Sequence, residues 1–520
     1  MIRMTDLLAK AAFNWPDHPA FTCGLRTLTW AELNTRTRQL ATSLHGFGVQ
    51  RGDRVGFLGF NSHVGAECYY APALIGACVV PLNFRLAAGE MVQLLNNCRP
   101  HVLIVDEEHA EIAAQVIPHC PSIQKVLYAG TGPVPQGMLD YEETLSSAGT
   151  EPDFDTLAGS DDDTLIMFYT GGTTGTPKGV MLTHSNIYAN AMGMMINWNI
   201  GQNETHFMSG PMFHTAGGSR VYATTLMGTH LITMPKFDVG GLLHLIQHHR
   251  VNLVQFVPTM MVMILDHPDF GKYDLSSLKM MTYGASPMPP ELMKRAIAAF
   301  PGVGFGQAFG MTEASPILTI LNPEYHVVDG PNAGRLNSLG KPLPFVDLRV
   351  VDEDDNPLPP GQVGEIIARG PNIMKGYWEQ PEMTAEVMRG GFYHTGDGGY
   401  YDEQGFLFLA GRIKDMIITG GENVYPIEVE DVVSTHPCCK QVAVIGTPDP
   451  QWGERVHAVI ELNPGTTATA QEIRELCRAR LAHYKCPTLV SFRTEPLPLT
   501  KVNKIDKRAL RDEYNGKTPT

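Results

Sequence analysis

The sequence predicts an α/β protein with a large amino-terminal domain of parallel sheets, a β-rich subdomain, and a small, mobile α+β carboxyl-terminal domain. Before residue 339, short apolar segments typical of buried strands alternate with longer helical segments. That alternation indicates parallel sheets covered by helices on both faces. Beyond residue 339 the pattern changes to hairpins. The 520 residues also exceed one ordinary core, so we expect at least two domains.

The amino-terminal elements follow from local signals. Thr29 and Glu32 form a capping-box pattern that begins a helix with leucines along one side. Further helices are expected up to about Ile75, at 89–97 and between the later strands. Strands are predicted at 54–60, 78–82, 101–106, 165–169, 206–210, 230–234, 253–257, 279–283 and 303–307.

The last third of the chain contains hairpins and a small mixed unit. One hairpin is predicted from strands at 346–351 and 364–368, and a second within 398–412. Helices at 426–436 and 470–482 and strands at 442–445, 456–462 and near Val490 follow. We place the domain boundary near Lys414, which gives a domain 1–413, with its β-rich subdomain at about 339–413, and a domain 414–520.

The composition is that of a water-soluble globular protein. A formal net charge of −15 argues against nucleic acid as a partner, because phosphate backbones demand a basic surface. The 9 cysteines include no C-x-x-C pair, which favours free thiols in a reducing compartment. We find no signal-peptide core and no integral membrane segment, so we expect a cytoplasmic protein. A homodimer is left open.

A glycine- and threonine-rich loop is the strongest single motif. After the apolar run 165–168, residues 169–180 read Y-T-G-G-T-T-G-T-P-K-G-V. Glycines let the backbone approach a ligand, threonines add hydroxyl donors, and Lys178 adds a positive charge, which together suit a polyphosphate. A Walker A loop is excluded, because Pro177 precedes the lysine and Gly179 follows it.

Four further stretches carry polar residues at expected strand ends or turns, where α/β proteins place ligand sites. Residues 211–218 read P-M-F-H-T-A-G-G and are expected in a strand-end loop. Residues 307–313 offer an aromatic ring, a hydroxyl and a carboxylate. Residues 393–397 put an acid beside a glycine turn, and 411–415 with 420–423 look like a hinge and a second loop for close backbone approach.

In this order, the five stretches resemble the core motifs of the adenylate-forming superfamily, and in particular its acyl-CoA synthetases of the fatty-acid–CoA ligase type. The resemblance covers nearly the whole chain, although the family usually has Ser where this chain has Gly171. It implies an acid–thiol ligase that uses ATP, Mg²⁺ and coenzyme A. A carboxylic acid and ATP would give an acyl-adenylate and pyrophosphate, and the thiol of coenzyme A would then displace AMP.

The resemblance also implies roles for individual residues. Catalysis would involve Thr170, Lys178, Glu313 and Lys504, and Glu313 would hold the metal. ATP or AMP would contact Thr170, Gly171, Gly172, Thr173, Thr174, Gly175, Lys178, Gly284, Ala285, Ser286, Phe309, Gly310, Met311, Thr312, Asp397, Arg412 and Lys504. The acyl pocket would include His214, Gly217, Gly218, Gly306 and Met311. Lys414 would be the hinge, and Gly420 and Gly421 would line the coenzyme A tunnel.

Two positions depart from the family pattern. Phe309 stands where relatives mostly have Tyr, as the ring that stacks on adenine. The assignment of Lys504 follows from its register in the last motif, where Asn503 replaces the usual Gly and Lys501 lies nearby.

The substrate is predicted from the residues around the acyl pocket. They are mostly apolar or small, which favours a hydrophobic acid, and we lean to a medium- or long-chain fatty acid. An aryl or other short carboxylic acid, or transfer of the acyl group to a carrier protein, are the alternatives, and a non-catalytic ATP sensor is a third. Arg220 could pair with a second carboxylate or a polar tail, but a surface or helix-packing role is favoured.

Overall fold

The computed structural model describes residues 2–170, 177–286, 288–420, 422–500 and 505–515. Its helices are α1 (Met4–Asn14), α2 (Trp30–Gly46), α3 (His63–Leu74), α4 (Ala88–Cys98), α5 (Ala110–Val116), α6 (Tyr141–Ser146), α7 (Phe154–Leu157), α8 (His184–Trp198), α9 (Thr215–Thr225), α10 (Val239–His249), α11 (Pro258–Leu265), α12 (Pro290–Ala299), α13 (Pro381–Val387), α14 (Pro426–Ser434), α15 (Ala470–Arg478) and α16 (Lys507–Tyr514).

The strands are β1 (Pro19–Cys23), β2 (Arg26–Thr29), β3 (Arg54–Leu58), β4 (Cys78–Pro81), β5 (Val102–Asp106), β6 (Lys125–Ala129), β7 (Leu139–Asp140), β8 (Thr164–Thr170), β9 (Lys178–Thr183), β10 (Thr205–Met208), β11 (His230–Thr233), β12 (Leu253–Phe256), β13 (Met280–Gly284), β14 (Gly304–Gly310), β15 (Ile317–Leu321), β16 (Ser338–Pro342), β17 (Asp347–Val351), β18 (Gly364–Arg369), β19 (Gly376–Tyr377), β20 (Tyr393–Tyr401), β21 (Leu407–Arg412), β22 (Ile417–Thr419), β23 (Glu422–Val424), β24 (Cys439–Asp449), β25 (Gly453–Leu462) and β26 (Leu489–Arg493). Each strand predicted from the sequence is confirmed, with bounds that differ by a few residues.

One large sheet has the strand order β17-β18-β20-β21-β16-β15-β14-β13-β12-β10-β11-β1-β2. The strands from β14 to β1 run parallel, as predicted, and β2 pairs antiparallel at one edge. At the other edge β15 turns the sheet antiparallel, and the two predicted hairpins, β17–β18 and β20–β21, join it through β16. The β-rich subdomain therefore extends the parallel sheet.

The second sheet has the order β19-β9-β8-β4-β3-β5-β6-β7 and is parallel from β8 to β7. Strand β9, which the sequence did not reveal, returns antiparallel to β8 and pairs Thr170 with Lys178. The glycine-rich loop 171–176 lies outside the described residues, but both of its ends are held in register by this hairpin.

Two helices join the large sheets and position the site. Helix α3 packs on α9, with the rings of Tyr69 and Tyr222 at 5.2 Å. The hydroxyl of Tyr222 donates to the carbonyl of Tyr69 at 2.7 Å, and that of Tyr70 donates to the carbonyl of Val221 at 2.9 Å. Because each buried hydroxyl has a partner, the rings are buried without the cost of an unsatisfied polar group.

The start of α9 corrects one prediction. A loop was expected at 211–218, but the helix begins at Thr215 with His214 as its N-cap. A Cβ on Gly217 would lie 2.5 Å from the carbonyl oxygen of Pro211, and one on Gly218 would lie 2.2 Å from the Tyr69 hydroxyl. The two glycines thus permit close packing of the helix, which offsets their low helix propensity.

The carboxyl-terminal unit has its own sheet, β23-β22-β25-β24, with β26 parallel to β25. Helices α14 and α15 are confirmed but end earlier than predicted, and β24 is longer. Lys414 lies between the last strand of the large sheet and the first strand of this one. All nine cysteines are free thiols. In the part of the chain that the structure describes, no helix is long and apolar enough to cross a bilayer.

Candidate active site

The predicted adenine-binding residues lie at the carboxyl ends of two neighbouring parallel strands. Gly284 ends β13 and pairs with Ala308 of β14, next to Phe309. A Cβ on Gly284 would lie 2.4 Å from the Ala308 oxygen, and one on Gly310 would lie 1.9 Å from the Pro316 oxygen. Only glycine fits at both positions, so the backbone there is bare. Ala285, at φ +66°, and Ser286 continue the turn.

The start of α9 meets the turn after β14. Thr215, 2% exposed, donates from Oγ1 to Oγ1 of Thr312 at 3.1 Å. Thr312 begins a 3₁₀ turn that also contains Glu313, with Met311 just before it. Thr312, which the sequence predicts to contact the α-phosphate, thus lies beside the amino end of α9, where N–H groups favour an anion.

Glu313 lies in a network of tyrosines that the sequence did not point to. The Tyr377 hydroxyl donates to Oε1 of Glu313 at 2.8 Å, and the Met374 N–H donates to the Glu313 carbonyl at 2.8 Å. Burial, and then the charge of Glu313, raise the pKa of Tyr377 and of Tyr393 well above the usual range. Both phenols therefore stay protonated and can act as donors across physiological pH.

Lys178 approaches the Tyr377–Glu313 pair from strand β9 of the second sheet. Its Nζ lies 5.4 Å from the centroid of the Tyr377 ring. Strand β19, which carries this tyrosine, pairs antiparallel with β9, which carries the lysine. Burial lowers the pKa of Lys414, and the charge of Lys178 is among the smaller contributions in the same direction. Lys178, just after the glycine-rich loop, therefore lies beside the Tyr377–Glu313 pair.

Asp397 and Arg412 face each other on β20 and β21. The Nε of Arg412 lies 2.8 Å from Oδ1 of Asp397, whose residue is 6% exposed, whereas the arginine side chain is 48% exposed. Arg412 also donates to the Thr395 carbonyl at 3.1 Å. Its charge reaches Tyr393 and Tyr377, where it opposes the rise of their pKa. Strand β20 carries both Tyr393 and Asp397, so this pair lies on the strand that contributes Tyr393 to the tyrosine network around Glu313.

The predicted acyl-pocket residues divide into two groups. His214 caps α9, with Nδ1 accepting from the Ala216 N–H at 3.4 Å, and Gly217 and Gly218 pack against other backbone as described above. Gly306 on β14 faces other side chains instead, since a Cβ there would lie 2.5 Å from Cε of Met280 and 2.8 Å from Nε1 of Trp198.

Arg220 is the largest surprise. The sequence favoured a surface or helix-packing role. The residue is 4% exposed, so the surface role is wrong, whereas the helix-packing role agrees with its place on α9 against Trp198 of α8. Its Nη2 donates to Oγ1 of Thr282 at 2.7 Å, and its guanidinium lies 4.9 Å from the ring centroid of Trp198. Trp198 does not stand out in the sequence, since nothing local marks a tryptophan at a helix end as part of a polar cluster.

The remaining predicted residues lie near the carboxyl-terminal unit or outside the described residues. Lys414 sits in a 3₁₀ turn, Ile413–Asp415, and Gly420 has φ +60°. A Cβ on Gly420 would lie 2.8 Å from Cε3 of Trp452, so the backbone is approached closely there. Gly171, Gly172, Thr173, Thr174, Gly175, Gly421 and Lys504 lie outside the described residues.

The chain is similar to known proteins over nearly its whole length. A family model described as AMP-binding enzyme matches residues 8–378, and one described as AMP-binding enzyme C-terminal domain matches residues 428–504. A feruloyl-CoA synthase of Amycolatopsis sp is 40% identical over 500 residues, which cover 96% of each chain. A medium/long-chain-fatty-acid–CoA ligase of Mycobacterium tuberculosis is 34% identical, covering 98% of this chain and 89% of the relative. The structure of o-succinylbenzoate CoA synthetase from Bacillus subtilis with its acyl-adenylate intermediate has a TM-score of 0.84 and 28% identity, covering 99% of this chain and 98% of that one.

Proposed function

The chain belongs to the AMP-binding enzyme family and is an adenylate-forming acid–thiol ligase, and we propose that its acid is a short or aryl carboxylic acid. ATP and coenzyme A are its other substrates. The observation that carries the residue roles is that three groups converge around Tyr377 and Tyr393. Lys178 comes from the second sheet, Glu313 follows β14 of the large sheet, and the Asp397–Arg412 pair lies on the hairpin β20–β21.

The first step brings two anions together, since a carboxylate must attack the α-phosphorus of ATP. Lys178 supplies positive charge in an acidic protein, Lys504 would add to it, and preorganised charge of this kind is worth on the order of 3–4 kcal/mol per contact. The carboxylate oxygen bonds to phosphorus, and pyrophosphate leaves with the electrons of the broken P–O bond. Thr312 orients the α-phosphate, and Asp397 accepts from a ribose hydroxyl.

Mg²⁺ fits the residues at the phosphate end. No cluster of three or more His, Cys, Asp or Glu side chains occurs among the described residues, so Glu313 offers a single carboxylate. Mg²⁺ commonly takes one or two carboxylates and fills the rest of its shell with substrate phosphates and water. Glu313, oriented by Tyr377, would hold the ion, which supplies charge neutralisation to the phosphates.

In the second step the thiolate of coenzyme A attacks the acyl carbon, and AMP leaves with the electrons of the cleaved bond. Lys504 would serve only the first step, so rotation of the carboxyl-terminal domain about Lys414 would remove it and bring the bare backbone of Gly420 and Gly421 to the thiol arm.

The acid class rests on two observations. The feruloyl-CoA synthase relative, whose acid is aromatic, is more similar to this chain than the fatty-acid ligase relative. A long alkyl chain that followed α9 would also reach a buried cation, Arg220. The medium- or long-chain acid that the sequence alone favours is therefore the second candidate.

The test is a panel of carboxylic acids, assayed in parallel for pyrophosphate release and for coenzyme A thioester. Thioester formation from aryl acids, at higher kcat/KM than from decanoate or palmitate, is the expected result. Pyrophosphate release without thioester would instead favour a carrier protein as acceptor, and binding of ATP with neither product would favour a sensor.

A further inference from the structure

Three buried donors form a cluster that the adenylation chemistry does not use. We call Arg220 on α9, Trp198 at the end of α8 and Thr282 on β13 the distal donor cluster. The guanidinium of Arg220 donates a hydrogen bond to Thr282 and lies over the indole ring of Trp198. The three side chains therefore share one small region between α8, α9 and the large sheet.

The charge in this cluster lacks a protein counter-ion. Throughout the described ranges, no carboxylate forms an ion pair with Arg220, and burial lowers its pKa to about 10. The acidic residue of this region, Glu204, is held by Lys279 at 3.1 Å and by His206 at 3.4 Å. His206 is buried, and the charge of Arg220 helps to lower its pKa. An arginine buried without compensation is costly, which favours a ligand that supplies the acceptor.

One hydrogen-bond donor in the cluster is unsatisfied. Nε1 of Trp198 has no acceptor within the described residues, and the residue is 7% exposed. The indole N–H faces Gly306, which pairs with Thr282 across the two parallel strands. Buried N–H groups without partners are rare, so this one points to an acceptor that arrives with the substrate.

The position of the cluster sets the length of that substrate. Thr215 anchors the first turn of α9 to Thr312 at the reacting end of the site. Arg220 follows five residues later, which is about 7.5 Å along a helix. On the sheet, Thr282 lies two residues before Gly284, which is about 6.6 Å along a strand. An acid held at Thr312 would therefore meet the donors after roughly 7 Å.

We propose that the distal donor cluster binds an oxygen acceptor at the far end of the acid, with Arg220 as the specificity-determining residue. The preferred acids then have about one aromatic ring and a short linker, and carry a hydroxyl, ether or carboxylate oxygen opposite the reacting carboxyl group. This inference rests on the proposed function, because it assigns the far end of the acid in that reaction.

The experiment compares kcat/KM for cinnamate, 4-hydroxycinnamate and 4-carboxycinnamate, which share the cinnamate scaffold and differ only in the substituent at the far end of the ring. The wild type should prefer the oxygen-bearing acids, and the neutral and anionic arms identify which oxygen the site takes. Arg220→Met should reduce the preference ratio roughly 10- to 100-fold, the range of a hydrogen bond to a charged group. Trp198→Phe, which keeps the ring and removes only the N–H, should reduce it about 3- to 10-fold. Arg295→Met is the matched control, since this arginine is exposed and pairs with Asp266, and it should leave the ratio unchanged.

The ratio separates recognition from structure, because a merely structural arginine would lower all three activities together. A wild type without preference, or variants that keep the wild-type ratio, would overturn the inference while leaving the ligase activity in place. If Arg220→Met fails to fold, the Trp198→Phe ratio decides alone. Absence of thioester and pyrophosphate with every acid in the wild type would instead contradict the proposed function.

Discussion

The hydroxyl of Tyr377 gives the sharpest test of the candidate site. Tyr377→Phe removes one donor to the Glu313 carboxylate, at 2.8 Å, from a residue that is 5% exposed. A hydrogen bond to a charged group contributes about 1.5–3 kcal/mol, and each 1.36 kcal/mol is tenfold in rate, so adenylation should slow about 10- to 100-fold. If the tyrosine acts by orienting the metal-holding carboxylate, the Mg²⁺ concentration for half-maximal activity should rise as well.

The assay is acid-dependent exchange of pyrophosphate into ATP, measured across a Mg²⁺ titration. Tyr401→Phe is the matched control, because its hydroxyl donates to the Leu348 carbonyl at 3.2 Å in the β-rich subdomain. Both variants should stay folded with a stability loss of about 1–3 kcal/mol, and only Tyr377→Phe should slow adenylation. A Tyr377→Phe enzyme with the wild-type rate and Mg²⁺ dependence would refute the role assigned to this pair.

Three other predictions concern packing, pH and domain motion. Gly218→Ala should lower the melting temperature, because its Cβ would lie 2.2 Å from the Tyr69 hydroxyl, and the expected loss of stability is about 1–3 kcal/mol. The control Gly89→Ala, in open space on α4, should raise the melting temperature slightly. Burial lowers the pKa of His184 to about 4, so the unfolded chain takes up a proton first as the pH falls. Stability should therefore decline as the pH falls from about 6.5 to about 4. In melting curves measured across this pH range, His184→Asn should show a smaller decline than the wild type, and an equal decline would contradict the role of His184. Lys414→Pro should impair thioester formation more than pyrophosphate exchange, and equal loss of both would count against the swing.

Local patterns predicted much of the fold because they reflect local physics. The apolar runs of β3, β4, β5 and β8 are buried on both faces of a parallel sheet, so their composition alone marks them. The capping box at Thr29 closes as expected, with the Glu32 N–H donating to the threonine hydroxyl at 3.2 Å. Strand β9 was missed because it follows a loop signal, and the start of α9 was missed because two glycines read as a turn.

The order of the motifs along the chain determined the family and the reaction class and predicted the site residues, because each motif is a short run whose chemistry is carried by adjacent residues. The tertiary structure alone decided which of those runs share a site. Tyr377 reaches Glu313, and Arg220 reaches Thr282 and Trp198, only because crossovers bring distant strands and helices side by side. The burial of Arg220 also depends on tertiary structure. Its charge can recognise a substrate because the surrounding elements exclude water and provide no carboxylate, and no local sequence pattern predicts such surroundings.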